Sequence, residues 1–198
     1  MSRPRSRPEV EDRREQLLRI GTELFATQPY DEVWITEVAR AAGVSRGLLY
    51  HYFPGKRAFF TEIIRVETDE MARLTDSDPG LPAQERLRLG IDAYFDYAEQ
   101  HEPGYRAMHR AATGADSEIR TLVERLLDTQ TQRIIDGMTN PAATSPMMRL
   151  AVRAWLSFLI TACLDWLDNR EPSRDALREL CVETLLGAIA AVSRAAAD

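Results

Sequence analysis

The sequence predicts an all-α protein, with an N-terminal three-helix helix-turn-helix domain and a C-terminal helical bundle. Apolar residues recur at helical spacing along nearly the whole chain, and no run alternates apolar and polar residues for long. Of the 198 residues, 44% are hydrophobic and 28% are charged, which suffices for one or two domains with a real core. Helices therefore account for the predicted elements from one end of the chain to the other.

The first predicted helix spans residues 11–27 and ends before Pro29. Its apolar stripe consists of Leu17, Ile20, Leu24 and Phe25. Two short helices follow, over 35–42 and 45–52, with Gly43 between them. These three helices form the predicted N-terminal domain.

A longer helix is predicted over 56–74, and the segment 75–82 that follows is dense in Asp, Pro and Gly, which break helices. This segment predicts the domain boundary. The predicted organisation is a flexible Arg-rich arm at 1–10, the helix-turn-helix domain at 11–57, a connecting helix at 58–74 and a ligand-binding and dimerisation domain at 83–198.

The second domain carries four or five longer helices. They are predicted over 83–100, over a short stretch after Pro103-Gly104, and over 116–138, 147–169 and 173–196. Ser173 is a good N-cap for the last of them. The helix over 147–169 is apolar nearly all round, so most of its sides must be covered.

The charge balance differs between the two parts of the chain. With 25 Lys+Arg and 31 Asp+Glu the net charge is −6, and taken whole this speaks against binding to nucleic acid. Residues 1–60 hold 10 basic and 8 acidic residues, so the acidity belongs to the C-terminal part. Lys56 is the only lysine in the sequence, and codon bias in a GC-rich genome accounts for the low number of lysines.

Several other classes of protein do not fit the sequence. Two cysteines cannot make a disulfide framework, and three histidines make a multi-histidine metal centre unexpected. The N-terminus has no apolar signal-peptide core. The longest apolar stretch, 150–167, contains Arg153 and Asp165, unlike a membrane span. We therefore expect a soluble cytoplasmic protein with no membrane partner, metal or cofactor.

Residues 35–52 carry the spacing of a helix-turn-helix. Ala39 is the small residue that two steeply crossing helices need at their contact, and Gly43 supplies the φ > 0 that the tight turn requires. Val38, Val44 and Leu49 can pack the two helices onto the first one. The Ser45 hydroxyl can cap the second of the two helices.

The run Ala-Gly-Val-Ser-Arg-Gly-Leu-Leu-Tyr-His-Tyr-Phe at 42–53, followed by Lys56, resembles the DNA-binding domain of TetR/AcrR-family transcriptional regulators. Leu24-Phe25 and Tyr30 match the family's first helix and its exit. The resemblance is detailed over about 13–57, and beyond that only helix count and length agree. Pro29 replaces a usual Gly and Trp34 replaces a usual Thr cap, which affects local stability more than the recognition helix.

The resemblance and the residue types give eight candidate DNA contacts: Thr36, Ser45, Arg46, Gly47, Tyr50, His51, Tyr52 and Lys56. The guanidinium of Arg46 can take guanine O6 and N7 in the major groove, and Gly47 allows close approach. Hydroxyls suit phosphate oxygens, and the resemblance makes Lys56 a phosphate contact. Two alternatives stay open, namely that Tyr50 and Tyr52 are core aromatics and that Arg46 is a solvated surface charge.

The second domain is rich in aromatic residues, and helical bundles often hold an apolar ligand between such helices. The candidate effector contacts are Tyr94, Phe95, Tyr105, Met108, His109, Trp155, Phe158 and Trp166, although ordinary core packing is an alternative for each of them. Polar selectivity could come from charged or titratable residues that face inward, namely Asp92, Asp96, His109, Arg153 and Asp165. The last helix also offers small residues at Thr184, Gly187 and Ala191, which permit close helix approach.

The last two helices thus form a predicted dimerising helix pair that builds a two-fold four-helix bundle, as the resemblance implies. The alternative is complete burial of both helices within one monomer. The implied function is a homodimeric regulator, most simply a repressor that a small apolar or aromatic molecule releases from a palindromic double-stranded DNA operator. The alternatives are a constitutive DNA-binding protein without an effector and a helical enzyme. The enzyme lacks support because the chain has no nucleophile motif and no glycine-rich phosphate loop. The N-terminal arginines are either a minor-groove arm or a solubilising tail.

Overall fold

The computed structural model describes residues 7–28, 30–76, 78, 80–112, 117–138 and 145–196, with side chains from Val10 onward. These residues form nine helices and no strand. The helices are α1 (Arg7–Thr27), α2 (Ile35–Ala41), α3 (Arg46–Tyr52), α4 (Lys56–Leu74), α5 (Ala83–Gln100), α6 (Glu102–Ala112), α7 (Ser117–Asp136), α8 (Pro146–Asn169) and α9 (Arg174–Ala195). The predicted all-α fold is confirmed.

The chain divides into two compact units. Unit 1 comprises Met1–Asp69 and His101–Val123, and unit 2 comprises Glu70–Gln100 and Glu124–Asp198. Unit 1 thus includes α6, which follows the breaker-rich segment 75–82 in the sequence, because α6 packs against α1. A ligand-binding and dimerisation role for 83–198 remains a prediction.

Two helix starts differ from the prediction. Helix α1 begins at Arg7, so residues 7–10 of the predicted flexible arm are helical, while Arg3 and Arg5 lie outside the described residues. Helix α6 begins at Glu102, before Pro103. In both helices a proline lies in the first turn, where its missing N–H is not needed and its fixed φ favours the helix.

The turn between α2 and α3 has the predicted geometry. Gly43 has φ 64°, a left-handed conformation that costs glycine little. The N–H of Val44 donates to the Ala39 carbonyl at 2.9 Å, which closes the turn. Val38, Ala39 and Leu49 are buried, so α2 and α3 are fixed by their apolar sides and the opposite side of α3 is left outward.

The core of unit 1 is aromatic. Phe25 on α1 packs edge-on against Phe60 of α4 at 4.6 Å between ring centroids, and Phe53 packs against Phe59 at 4.7 Å. A Cβ on Gly21 would lie 2.3 Å from the ring of Phe59, so α1 and α4 approach closely at this glycine. Glu62, between the guanidinium groups of Arg65 and Arg14, has its pKa lowered to about 2 by those hydrogen bonds. This core fixes α4, and with it Lys56, against α1.

Unit 2 is built on α5, α8 and α9. The indole of Trp155 on α8 donates to the Cys181 carbonyl on α9 at 2.8 Å. Arg174 and Arg178 at the start of α9 form ion pairs with carboxylates of α5, among them Arg174 with Asp96 at 2.6 Å and Arg178 with Asp92 at 3.2 Å.

Of the helices in the described ranges, α8 alone is long and apolar enough to cross a membrane by length and composition. Its apolar residues Trp155, Leu159 and Cys163 are nevertheless buried in the protein.

Trp34 precedes α2 without capping it through its side chain. The Glu37 carboxylate accepts from the Trp34 backbone N–H at 3.4 Å, but an indole offers no oxygen to the first helical N–H groups. We expect Trp34→Thr to raise the free energy of unfolding by about 0.5–2 kcal/mol, because the threonine hydroxyl supplies the missing acceptor. Urea denaturation would measure the change, with Trp34→Val as the control that removes the indole without adding a hydroxyl. Equal stability of the two variants would contradict this account of the cap.

Candidate nucleic-acid interface and effector region

Helix α3 is positioned so that its polar side chains face away from the core. Leu49 is fully buried and anchors the helix. The hydroxyl of Ser45 accepts from the Leu48 N–H at 3.2 Å, which confirms the predicted cap. Arg46 is then the first helical residue, at the end of α3 that directly follows the turn.

Most of the predicted DNA contacts lie on the exposed side of α3. Ser45, Arg46, Gly47, Tyr50 and His51 are exposed. Within the described part of the chain, the Arg46 guanidinium has no hydrogen bond or ion pair. A Cβ on Gly47 would meet nothing within 4 Å, so the protein itself does not require glycine there. The side therefore presents one unpaired cation, a phenol and an imidazole to solvent.

The two tyrosines whose roles were left open are placed differently. Tyr50 is exposed, whereas Tyr52 is half-buried and its ring lies 6.3 Å from that of Phe53. Tyr52 therefore contributes to the aromatic contacts at the end of α3, and Tyr50 makes no such contribution. Tyr50 is therefore not a core aromatic residue, whereas Tyr52 is partly buried and packs in part against the core.

Lys56 is held by the loop that precedes α2. Its ammonium donates to the Asp31 carbonyl at 3.1 Å and lies 4.6 Å from the centroid of the Tyr30 ring. These contacts orient the ammonium, which is the group that would contact a phosphate oxygen. The sequence predicts Lys56 as a contact but does not predict its hydrogen bond to the Asp31 carbonyl, because every residue has a backbone carbonyl and residue type does not show which one accepts.

Two further residues lie near the start of α2. Thr36 is half-buried in the first turn of that helix. Trp34 is 70% exposed, the highest exposure among the large hydrophobic residues that the structure describes. The sequence identified Trp34 only as an unusual cap residue.

The eight candidate effector residues fall in both compact units. Tyr94, Phe95, Trp155, Phe158 and Trp166 lie in unit 2, and Tyr105, Met108 and His109 lie in unit 1. In unit 2 the rings of Phe95 and Trp166 are 5.9 Å apart, and the Trp166 indole donates to the Pro172 carbonyl at 3.0 Å. Both buried indole N–H groups of this unit are thus satisfied within the protein, so Trp155 and Trp166 could offer a ligand only apolar surface.

The carboxylates of Asp92 and Asp96 form ion pairs within the protein. Both carboxylates pair with arginines of α9, an arrangement that residue spacing could not reveal because the partners are about 80 positions apart. Hydrogen bonding to Asp96 raises the pKa of Arg174. The described residues bring no group of three or more His, Cys, Asp or Glu together in a way that could hold a metal ion.

His109 has a buried polar atom whose hydrogen-bonding requirement is not met within the described residues, and the Nε of Arg86 is the other such atom. Its ring packs edge-on against Tyr105 at 4.5 Å, and its Nε2 is buried without a hydrogen-bond partner among the described residues. Burial lowers the pKa of His109 from 6.5 to about 4, so the imidazole is neutral at pH 7. Of the predicted effector contacts, His109 is the one with a buried polar side-chain atom that has no hydrogen-bond partner among the described residues.

This histidine predicts a loss of stability in acid. The pKa is about 4 in the folded chain and 6.5 in the unfolded chain, so the unfolded chain takes up the proton first as the pH falls. We expect His109 to contribute nothing above pH 6.5 and to cost roughly 2 kcal/mol of folding free energy at pH 5. Urea denaturation at pH 7.5 and pH 5 would measure this. His109→Phe should lose less stability between these pH values than the wild type. Identical pH dependence in the two proteins would contradict the assignment.

In the single chain, α8 and α9 each expose one stripe of side chains to solvent. On α8 the exposed positions include Leu150, Ala154, Ser157 and Thr161, and on α9 they include Leu180, Thr184, Gly187 and Ala191. Both sets follow a spacing of four, three and four, which lies along one side of a helix. We call these eight residues the α8–α9 face.

Comparisons with known proteins agree on one family. The model of the N-terminal domain of bacterial regulatory proteins of the tetR family matches residues 17–63, and a tetracyclin repressor-like C-terminal domain model matches residues 83–188. Among curated relatives, the transcriptional activator FasR of Mycolicibacterium smegmatis is 24% identical over 92% of this chain and 85% of its own length. The transcriptional repressor KstR of Rhodococcus jostii is 29% identical over 89% of this chain and 84% of its own.

Solved structures share the fold. A tetR-family regulator from Streptomyces coelicolor has a TM-score of 0.70 and 34% identity, and the match covers 95% of this chain and 84% of that one. FadR of Bacillus subtilis, solved with stearoyl-CoA, has a TM-score of 0.72 at 18% identity and covers 86% of this chain and 96% of its own. The C-terminal model alone matches more than half of the chain. The chain belongs to the TetR family of helix-turn-helix, DNA-binding transcriptional regulators.

Proposed function

We propose that two copies of this chain bind a palindromic operator, with α3 of each copy in the major groove of one half-site. The observation that carries the proposal is the outward side of α3. It presents Arg46, which forms no ion pair with any described residue, at its N-terminal end, while Leu49 anchors the helix from behind. Arginine reads guanine through O6 and N7, and the exposed hydroxyls of Ser45 and Tyr50 suit phosphate oxygens. Lys56, already oriented by the Asp31 carbonyl, supplies a further phosphate contact.

The α8–α9 face is the proposed dimer interface. It combines exposed apolar residues, Leu150 at 63% and Leu180 at 51% exposure, with the small residues Gly187 and Ala191. Small residues allow two helices to approach closely, and exposed leucines lose contact with water when they do. A two-fold interface uses the same patch on both copies, which matches the two-fold symmetry of a palindrome.

Repression is the proposed sign of regulation. One relative is named an activator and another a repressor, so family membership is compatible with either. Repression needs only that the dimer occupies the operator, whereas activation requires a further contact with the transcription machinery. The chain is similar to transcriptional regulators, and we assign it no catalytic activity and a place in the cytoplasm.

An apolar small molecule is the proposed effector. The support is the set of buried aromatic residues in the C-terminal helices, together with a solved structure of the same fold that holds a long acyl chain. In unit 1, the Nε2 of His109 has no hydrogen-bond partner among the described residues, and it is a proposed polar contact for an effector.

This proposal predicts release of operator DNA by apolar ligands. We expect stearoyl-CoA, or another member of a panel of acyl and aromatic compounds, to weaken operator binding by about 5- to 150-fold, which corresponds to a coupling of ~1–3 kcal/mol. Fluorescence anisotropy of a labelled operator bound to the full chain would measure this, with CoA lacking an acyl chain as the control. If no member of the panel changes operator affinity, the constitutive alternative is favoured instead.

A further inference from the structure

We propose that Trp34 is a DNA contact whose indole packs against a deoxyribose of the operator and whose Nε1–H donates to a phosphate oxygen. The inference deepens the proposed function and rests on it. Trp34 is not one of the residues for which the resemblance implies a DNA contact, and its side chain is not explained by the fold.

The backbone directs this indole outward. Trp34 is extended, with φ −97° and ψ 124°, and side chains alternate between two sides along an extended segment. Its neighbours Val33 and Ile35 are both buried. Since these two residues anchor the segment in the core, the side chain between them has to project into solvent.

The indole N–H is unused. Within the described part of the chain, Nε1 of Trp34 donates to no acceptor, whereas the indoles of Trp155 and Trp166 each donate to a backbone carbonyl. An exposed tryptophan also leaves a large apolar ring in water, which is unfavourable unless a partner covers it. A partner that offers both an apolar surface and a hydrogen-bond acceptor would cover the indole ring and accept from its N–H at the same time.

The position of Trp34 connects it to the proposed DNA surface. The loop before α2 carries Tyr30, Asp31 and Trp34, and the first two hold the Lys56 ammonium. A phosphate that binds Lys56 therefore lies next to this loop. The sugar–phosphate backbone is continuous from one phosphate to the next, so an adjacent sugar and phosphate are the nearest part of the operator to Trp34.

The charged side chains of this loop are acidic. The side chains of Asp31 and Glu32 are exposed in the same loop, so the loop itself exerts no general attraction on DNA. The Glu37 carboxylate accepts from the Trp34 backbone N–H and is thereby held at the start of α2. These carboxylates repel a phosphate, so the contact depends on the neighbouring Lys56 ammonium to offset the repulsion and on the neutral indole N–H to donate.

Acrylamide quenching of tryptophan fluorescence tests the contact without any mutation. The sequence has three tryptophans, and Trp155 and Trp166 are buried, so the quenchable emission of the full chain comes from Trp34. We expect saturating operator duplex to reduce the quenching constant at least twofold. If the duplex binds but Trp34 stays as quenchable as before, the inference is wrong. Protection that arises in DNA-free protein at high concentration would also overturn it, because a second copy would then be the partner.

Two variants separate the ring from its N–H group. We expect Trp34→Ala to weaken operator binding about tenfold and Trp34→Phe, which keeps a ring but loses the donor, to weaken it less. The dependence of affinity on salt should be unchanged in both, because no charge is lost. Leu89→Ala, which removes an exposed hydrophobic residue of α5, is the matched control and should bind normally. Wild-type affinity of a folded Trp34→Ala protein would refute the contact, whereas absence of operator binding by the wild type would refute the proposed function itself.

Discussion

Arg46→Ala is expected to remove the sequence preference of this protein for its operator. A bidentate arginine–guanine pair contributes about 1–3 kcal/mol of discrimination against the wrong base, and a dimer would lose one such pair in each half-site. The side chain is exposed at the start of α3 and forms no ion pair within the described residues, so its removal should leave the fold intact. Affinity for the operator should therefore fall towards the affinity for unrelated DNA.

Lys56→Ala is the matched comparison, because it removes a cation that the resemblance assigns to phosphate. It should weaken binding to operator and unrelated duplex alike, and should reduce the slope of log affinity against log salt by about one per chain. Anisotropy titrations of both duplexes at three salt concentrations would separate the two variants. An Arg46→Ala protein that still prefers its operator would show that base recognition lies elsewhere.

Gly187→Arg is expected to disrupt the dimer and to weaken operator binding by roughly 10²–10⁴-fold, because the second half-site then no longer binds as part of one molecule. Gly187 lies in the α8–α9 face, and a Cβ added there meets nothing within 4 Å in the single chain. The protomer should therefore accept the larger residue, and replacing a helical glycine favours the helix by about 0.5–1 kcal/mol. In a two-fold bundle the same side chain would enter the space between two closely packed helices.

Light scattering at micromolar concentration would give the mass of wild type and variant, and circular dichroism would show that helix content is retained. Leu89→Arg introduces the same charge at an exposed position of α5, outside the α8–α9 face, and should leave both mass and operator affinity unchanged. A Gly187→Arg protein that remains dimeric would place the interface on another surface.

The local features of the helix-turn-helix could be predicted because each depends on neighbouring residues. A glycine in a tight turn, a serine before a helix and a buried leucine at helical spacing are visible in the sequence, and Gly43, Ser45 and Leu49 all take these roles. Helices without a proline near their start were also predicted to within a few residues. The start of α1 was missed because residues 1–10 were assigned to a flexible arm, and the start of α6 was missed because that helix was placed after Pro103-Gly104, whereas a proline in the first turn is compatible with a helix.

What could not be predicted depends on contacts between distant residues. The pairing of Asp92 and Asp96 with arginines of α9 and the support of Lys56 by the Asp31 carbonyl involve partners far apart in the sequence. The exposure of Tyr50 and the partial burial of Tyr52 depend on the angle at which α3 meets the core, which spacing alone leaves open. The DNA-contacting and effector-contacting roles of the candidate residues remain predictions.

Recognition of a palindrome by a two-chain assembly is the central claim, and selection of genomic DNA fragments with the purified full-length chain tests it most directly. The bound fragments should share an inverted repeat whose half-sites lie one or more helical turns apart. The mass of the complex on that repeat should correspond to a whole number of dimers. Fragments with no common sequence, or a single half-site bound by one chain, would contradict the claim.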